Sequence, residues 1–110
     1  MATTNFYIKQ GDRLPSIQAT LQDGKGVAVP LTSGVTSVTF RMRWSTVIKS
    51  GPAVIVDAAN GVVRYDWAVG DTDRSAVYSA EFEVLWAADG KRETYPNQEY
   101  ITVHVTDDLG

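Results

Sequence analysis

Residues 70–86 read GDTDRSAVYSAEFEVLW, and this stretch decides the fold. After a polar turn, apolar side chains recur at every second position from Ala76 to Trp86, while Ser79, Glu81 and Glu83 take the opposite face. Successive side chains of an extended strand point to opposite faces of the sheet, so the alternation predicts a half-buried β-strand. Its length is that of a central strand with neighbours on both sides.

The segments around this strand predict those neighbours. Alternating or β-branched runs bounded by turn residues occupy 5–9, 16–22, 35–44, 53–56, 62–67, 91–95 and 99–106. Asn60-Gly61 and Asp89-Gly90 predict hairpin turns, because both dipeptides accept positive φ. Residues 45–52 end in Gly51-Pro52 and are predicted to form a loop. Pro30 cannot donate to a ladder, so 27–32 are predicted to be an edge segment or an extended loop.

About seven or eight short strands without a helical period predict an all-β, immunoglobulin-like antiparallel β-sandwich, one domain spanning residues 1–110. Tyr78 follows an acidic turn and stands two residues before Ala80, where antibody domains carry their second cysteine. This arrangement predicts a tyrosine corner, in which the hydroxyl binds backbone upstream. Trp44 takes the place of the core tryptophan of such domains.

Composition excludes several classes of protein. The 110 residues are 44% hydrophobic, which is typical of a folded domain, and a net charge of -3 disfavours nucleic-acid binding. The chain has no cysteine for disulfides or thiolate metal sites and one histidine, His104. The N-terminus does not resemble a signal peptide and no apolar run is long enough to span a bilayer, so we expect synthesis in the cytoplasm and no membrane partner.

Clustered aspartates are the first candidates for chemistry. Asp66, Asp71, Asp73, Asp107 and Asp108 could converge at one end of a sandwich, where calcium would find oxygen ligands. Their spacing matches no calcium-binding loop, and aspartates in turns usually bind their own backbone. We therefore predict no metal site.

The other titratable residues do not form a catalytic set. Glu81 and Glu83 point the same way from one strand, whereas the carboxylates of glycosidases flank a substrate across a cleft. His104 is predicted to lie at the surface without metal-binding partners. No nucleophile elbow or glycine-rich phosphate loop is present. We predict no catalytic, cofactor-binding or metal-binding residues, and a protein that is not an enzyme.

Charged and aromatic side chains are assigned to the two faces of the sheets. Arg41, Arg43 and Arg64 are predicted to form a basic stripe on one outer face, opposite Glu81 and Glu83 as cross-strand partners. The aromatic residues predicted to lie mostly in the core are Phe40, Trp44, Tyr65, Trp67, Tyr78, Phe82 and Trp86. The tyrosines predicted to lie outside, as possible interface anchors, are Tyr7, Tyr95 and Tyr100.

Four segments together carry a family resemblance. They are FYIKQGD (6–12), IQATLQDG (17–24), VTFRMR (38–43) and the stretch 63–84 with VRYDW, GDTD and YSAEFEV. They resemble the small immunoglobulin-like domains of tailed-bacteriophage virions, in particular the N-terminal domain of the phage baseplate upper protein family. The resemblance implies a structural subunit of the virion, present in multiple copies as a homo-oligomer or symmetric array, that packs against other virion proteins of the tail, baseplate, neck or capsid.

This resemblance implies a tail or baseplate assembly protein acting through protein–protein contacts, with a head-decoration or neck protein as the alternative. A further alternative is an adhesion or carbohydrate-binding module, which would need a row of exposed planar aromatic rings. For an assembly protein, the exposed edges of a sandwich can accept a strand from a partner. Residues 5–9 or 27–32 are the predicted edges.

Overall fold

The computed structural model describes residues 4–87, 90–96, 101–107 and 109. The strands within these ranges are β1 (Asn5–Lys9), β2 (Ile17–Thr20), β3 (Val35–Trp44), β4 (Val47–Pro52), β5 (Val54–Asp57), β6 (Val62–Tyr65), β7 (Ala76–Trp86), β8 (Arg92–Tyr95) and β9 (Ile101–Thr106). A single 3-10 turn, Ala58–Asn60, joins β5 to β6. Within the same ranges, no helix has the length and apolar character needed to cross a membrane.

The strands form two sheets. The larger has the order β1-β9-β7-β3-β4, with β8 pairing β7 beyond the end of β9, and the smaller has the order β2-β6-β5. This arrangement confirms the predicted immunoglobulin-like sandwich. One pair departs from the expected antiparallel pattern, since β1 runs parallel to β9. Parallel strands need a long connection between them, and the elements from β2 to β8 supply it here.

The core lies between the sheets and is built from alternate residues of the long strands. Phe40 on β3 is at its centre, with ring centroids 4.5 Å from Tyr65, 5.2 Å from Phe82 and 5.6 Å from Trp67. All four side chains are buried. Burial of each large apolar side chain contributes about 1.5–3 kcal/mol relative to exposure, so the alternation in 35–44 and 76–86 directly specifies the sandwich.

The predicted loop at 45–52 is wrong, because Val47–Pro52 form β4 on the edge of the larger sheet. Ser45 takes a positive φ of 55° and lets the chain turn directly from β3 into β4. Gly51 lies within this strand for a packing reason. A Cβ on Gly51 would stand 2.8 Å from Cε1 of Tyr65, so the tyrosine ring occupies the space that any other residue would need.

Residues 27–32 do not form a strand, and their one β-bridge joins Ala28 to Gln22. The segment is the extended loop of the two predicted possibilities, held by the buried Leu31. The hairpin at Asn60-Gly61 is confirmed, since β5 and β6 pair antiparallel across it. Two predicted features lie partly outside the described residues: the turn at Asp89-Gly90, through Asp89, and the strand at 99–106, through residues 99–100.

The tyrosine corner is confirmed. The ring of Tyr78 is fully buried, and its hydroxyl donates to the carbonyl oxygen of Arg74 at 3.2 Å. This bond ties the start of β7 to the turn that precedes it.

Tyr78→Phe is therefore expected to lower the free energy of unfolding by about 0.5–1.5 kcal/mol, the net contribution of one hydrogen bond. Urea denaturation measures the effect. Tyr7→Phe is the matched control, because Tyr7 is 64% exposed and should leave the urea midpoint unchanged. Equal midpoints for the Tyr78 variant and the parent protein would show that the bond contributes nothing.

Candidate interaction surfaces

The acidic turn before β7 is a structural network. The buried carboxylate of Asp71 accepts hydrogen bonds from the Tyr65 hydroxyl at 2.5 Å and from the backbone N–H of Ala68 at 2.9 Å. Burial, followed by the hydrogen bond and charge of Asp71, raises the pKa of Tyr65. Asp71 therefore fastens the turn to the core, and both of its partners belong to the domain itself.

The other described aspartates are held separately rather than gathered at one point. Asp66 accepts from Ser16 and from Arg64, and these two bonds lower its pKa. Asp73 lies 3.6 Å from the ammonium of Lys49. No group of three or more acidic or histidine residues able to hold a metal ion occurs in the described ranges, which exclude Asp108.

The outer face of the larger sheet carries the predicted cross-strand pairing. Arg41 lies opposite Glu81 in register and forms an ion pair with Glu83 at 3.3 Å, while Arg92 approaches Glu83 at 3.9 Å. Exposed pairs of this kind contribute only about 0.2–1 kcal/mol. The predicted stripe of three arginines is wrong, because Arg64 lies on β6 in the other sheet. These charges stabilise the sheet face.

The tryptophans do not form the exposed row that a carbohydrate-binding module requires. Trp67 is buried and donates through Nε1 to the carbonyl oxygen of Pro15 at 2.9 Å. Trp44, half-buried at the end of β3, has the guanidinium of Arg74 4.7 Å above its ring. The half-buried Trp86 donates to Glu93 at 2.8 Å. The fully buried indole of this sandwich is thus Trp67, and Trp44 lies at the margin of the core.

Of the tyrosines predicted to lie outside, the structure places Tyr7 there and Tyr95 in the core. Tyr7 stacks on His104, with ring centroids 4.3 Å apart, and His104 Nε2 lies 2.9 Å from Oδ1 of Asn5. Tyr95 is buried because it pairs in register with Phe82, whose side chain also faces the core. The prediction for Tyr95 is wrong, and Tyr100 lies outside the described residues.

Burial of Tyr95, with the neighbouring Glu93, raises the pKa of the phenol from 10.0 to about 12. The fold therefore favours the neutral phenol, and its stabilising effect is complete below pH 10 and lost as the pH rises toward 12. We expect the free energy of unfolding to fall by about 1.4 kcal/mol per pH unit for this group within that window. Urea midpoints across the window measure the slope. Tyr95→Phe should make the slope shallower without abolishing it, because the contribution of the buried Tyr65 then remains, and an identical slope in that variant would contradict the assignment.

An open depression of about 370 Å³ lies beside the acidic turn. Its lining residues are Val47, Lys49, Asp73 and Arg74. Lys49 donates to the carbonyl oxygen of Gly70 at 3.0 Å and pairs with Asp73, so its charge is already used within the domain. This arrangement holds the turn against β4. It does not place a nucleophile next to a general base.

One side of the sandwich is closed by a strand that changes sheets. Residues 47–57 run without a loop from β4, on the larger sheet, to β5, on the smaller one. At the crossing point the N–H of Ala53 still donates to the carbonyl oxygen of Val38 at 2.8 Å. The free edges of both sheets on this side therefore belong to a single segment of chain.

The β5 half of this segment is apolar and exposed. Val54, Ile55 and Val56 are 45%, 37% and 46% exposed, the one run of three consecutive exposed large hydrophobic residues among those the structure describes. The sequence marks this segment by the uninterrupted apolar run AVIV at residues 53–56. A strand with apolar residues on both faces is normally buried in the middle of a sheet, whereas this one lies at an edge.

Among the predicted edges, residues 5–9 are confirmed as the edge strand β1, while 27–32 lack a strand. No protein-family model matches the chain, and a search of the curated proteins gave no significant match. The surface of the sandwich and the four resembling segments are therefore the features that bear on function.

Proposed function

We propose that this protein is a non-enzymatic structural subunit of a bacteriophage virion, assembled in the host cytoplasm as a tail or baseplate protein through protein–protein contacts. The observation that carries the proposal is the exposed strand β5, apolar from Val54 to Val56, at the edge of an immunoglobulin-like sandwich. An edge strand presents unpaired backbone groups, and an apolar one is a site for another protein.

The four resembling segments support the same role. Residues 6–12 contain most of β1, 17–24 contain β2, 38–43 lie in β3, and 63–84 span most of β6 and β7. They are thus distributed over both sheets of the domain. The likeness therefore lies in strands of the fold rather than in one isolated loop, which supports the proposed role as a structural subunit.

The polar side chains of the described ranges favour this role over catalysis. Every buried side-chain nitrogen or oxygen there has a hydrogen-bond partner. The buried hydrogen bond between Tyr65 and Asp71, at 2.5 Å, is enclosed within the domain. A catalytic site would instead direct such groups into a cleft that a substrate can enter.

Localisation on intact particles tests the proposal. Virions from cells that carry the gene are purified by density gradient, analysed by mass spectrometry and labelled with gold-conjugated antibody against the purified domain. We expect the chain in the particles and gold at the tail or baseplate. Gold on the head or neck would replace the tail assignment by a decoration or connector role. Absence of the chain from purified virions would overturn the proposal.

A further inference from the structure

We infer that Asn60 is a site of spontaneous deamidation, and that the fold delays this reaction by holding Asn60 and Gly61 in a closed hairpin. The chain contains three asparagines, and Asn60 alone is followed by glycine. The reaction consumes a water molecule, releases ammonia and needs no enzyme. The inference concerns the hairpin between β5 and β6 and does not depend on the proposed virion role.

The reaction begins when the backbone nitrogen of Gly61 attacks the side-chain carbonyl carbon, Cγ, of Asn60. A bond forms between this nitrogen and Cγ, the bond between Cγ and Nδ2 breaks, and ammonia leaves with the proton that the backbone nitrogen gives up. The product is a cyclic imide. Water then opens the imide to either aspartate or isoaspartate, and no oxidant or reductant takes part.

Sequence and exposure make Asn60 the most reactive of the three amides. The glycine that follows it has no Cβ to crowd the attacking nitrogen, whereas Asn5 precedes Phe6 and Asn97 precedes Gln98. Asn60 is exposed at the end of the 3-10 turn, so water reaches its side chain from the solvent. Asn5, by contrast, lies within the ladder of β1 and β9.

The nitrogen that must attack is restrained in the folded protein. Gly61 is buried, its N–H donates to the carbonyl oxygen of Ala58 at 3.3 Å, and its carbonyl oxygen accepts from the N–H of Leu21 at 2.8 Å. For the reaction, a base must remove the proton of this nitrogen, and the nitrogen must lie about 3–3.5 Å from Cγ in line with the carbonyl. Because both steps disturb these bonds, the reaction waits for local opening of the hairpin.

The side chain that is attacked is restrained as well. Nδ2 of Asn60 donates to Oδ2 of Asp57 at 2.8 Å, which holds the amide in one orientation. Attack also places negative charge on the amide oxygen, and the adjacent carboxylate of Asp57 disfavours that charge. Among the described residues, Asp57 provides no side-chain cap for the 3-10 turn. Its carboxylate therefore acts on Asn60 and not on the start of the turn.

The products do not fit the closed hairpin. Aspartate at position 60 places a second carboxylate beside that of Asp57, where an N–H donor was. Isoaspartate adds a methylene group to the main chain directly before Gly61, where a Cβ would already stand 2.5 Å from the carbonyl oxygen of Val29 and 3.1 Å from that of Leu21. Each opening that ends in deamidation therefore leaves a hairpin that closes less well.

Mass spectrometry during incubation of the purified protein at mildly alkaline pH tests the inference. We expect the mass gain of an acid over an amide at Asn60, with a rate about tenfold or more higher in denaturing urea than in buffer. Asp57→Ala should raise the rate several-fold in buffer and leave it unchanged in urea. Asn60→Gln is the matched control, because glutamine must close a larger ring and should gain no mass at this position.

The deamidated protein carries an additional negative charge and is separated by anion exchange. It should unfold at a lower urea concentration than the parent, and its isoaspartate fraction should unfold at a lower concentration than the Asn60→Asp variant, which has the charge on a normal backbone. Equal rates in buffer and urea, a mass gain mainly at Asn5 or Asn97, or a deamidated protein as stable as the parent would each overturn the inference. An unchanged rate for Asp57→Ala in buffer would overturn the role assigned to Asp57.

Discussion

Gly61→Ala is expected to lower the free energy of unfolding by about 2–5 kcal/mol. Gly61 has a φ of 67°, and a Cβ at this position would stand 2.5 Å from the carbonyl oxygen of Val29 and 3.1 Å from that of Leu21. The left-handed conformation alone costs a residue with a Cβ about 1–2 kcal/mol, and overpacking adds about 1–3 kcal/mol.

Those two oxygens cannot move aside easily. The carbonyl oxygen of Leu21 accepts from the N–H of Val29 at 2.8 Å, and the N–H of Leu21 donates to the carbonyl oxygen of Gly61 at 2.8 Å. The glycine thus lies within a small backbone network that ties the β5–β6 hairpin to the loop after β2. A shift that relieves the contact would stretch these bonds.

Gly90→Ala is the matched control for the conformational effect. Gly90 has nearly the same φ, 68°, but no atom of the described residues lies within 4 Å of its hypothetical Cβ. Its substitution should cost only the conformational part, about 1–2 kcal/mol. Urea denaturation of both variants separates the two effects. Equal losses of stability would mean that the contact with Val29 and Leu21 is not a constraint.

The second large effect is expected for Asp71→Ala, which should lower the free energy of unfolding by about 2–4 kcal/mol. The substitution leaves the Tyr65 hydroxyl and the Ala68 N–H without their acceptor, in a site where Asp71 is almost fully buried. Each unsatisfied buried group costs about 1–3 kcal/mol, in part relieved where water enters.

Two further variants identify the cause of that loss. Asp71→Asn keeps one carbonyl acceptor and should retain part of the stability. In a double-mutant cycle, Tyr65→Phe combined with Asp71→Ala should be less destabilising than the sum of the two single effects, because both remove the same bond. Additive effects measured by urea denaturation would contradict a direct energetic link between the two side chains.

The long strands with alternating apolar and polar residues could be predicted from the sequence. The run 35–44 became β3 and the run from Ala76 to Trp86 became β7, with the same bounds. The tyrosine corner could also be predicted, because the turn and Tyr78 are adjacent in sequence. In these cases the signal is local and does not depend on which strand lies alongside.

The incorrect predictions concern residues whose environment is set by residues distant in the sequence. The sequence pattern does not predict β4, because Lys49 points inward toward Gly70 and Asp73, and the ring of Tyr65 occupies the space beside Gly51. Both features break the expected pattern of a strand. Tyr95 was placed outside because its face is fixed only by its pairing with β7.

The exposed apolar surface of β5 could not be predicted either, because it depends on the order of the strands in the sheet. Val54–Asp57 reads as an ordinary strand, and its apolar residues are exposed only because β5 ends the order β2-β6-β5. Arg64 likewise alternates in step with the other arginines but belongs to the opposite sheet. Sequence periodicity describes a strand and its faces, whereas position at an edge is a property of the assembled sheet.

The parallel pairing of β1 with β9 has a mechanical consequence. Asn5 lies beside Thr102 and Lys9 beside Thr106, so the two strands run in step over five pairs. Tension applied before Asn5 and after Thr106 pulls the strands in opposite directions along their length. The load is then shared by all the hydrogen bonds of the ladder, which must yield together rather than open one after another. The joint between the first and last strands thus resists stretching of the chain in shear.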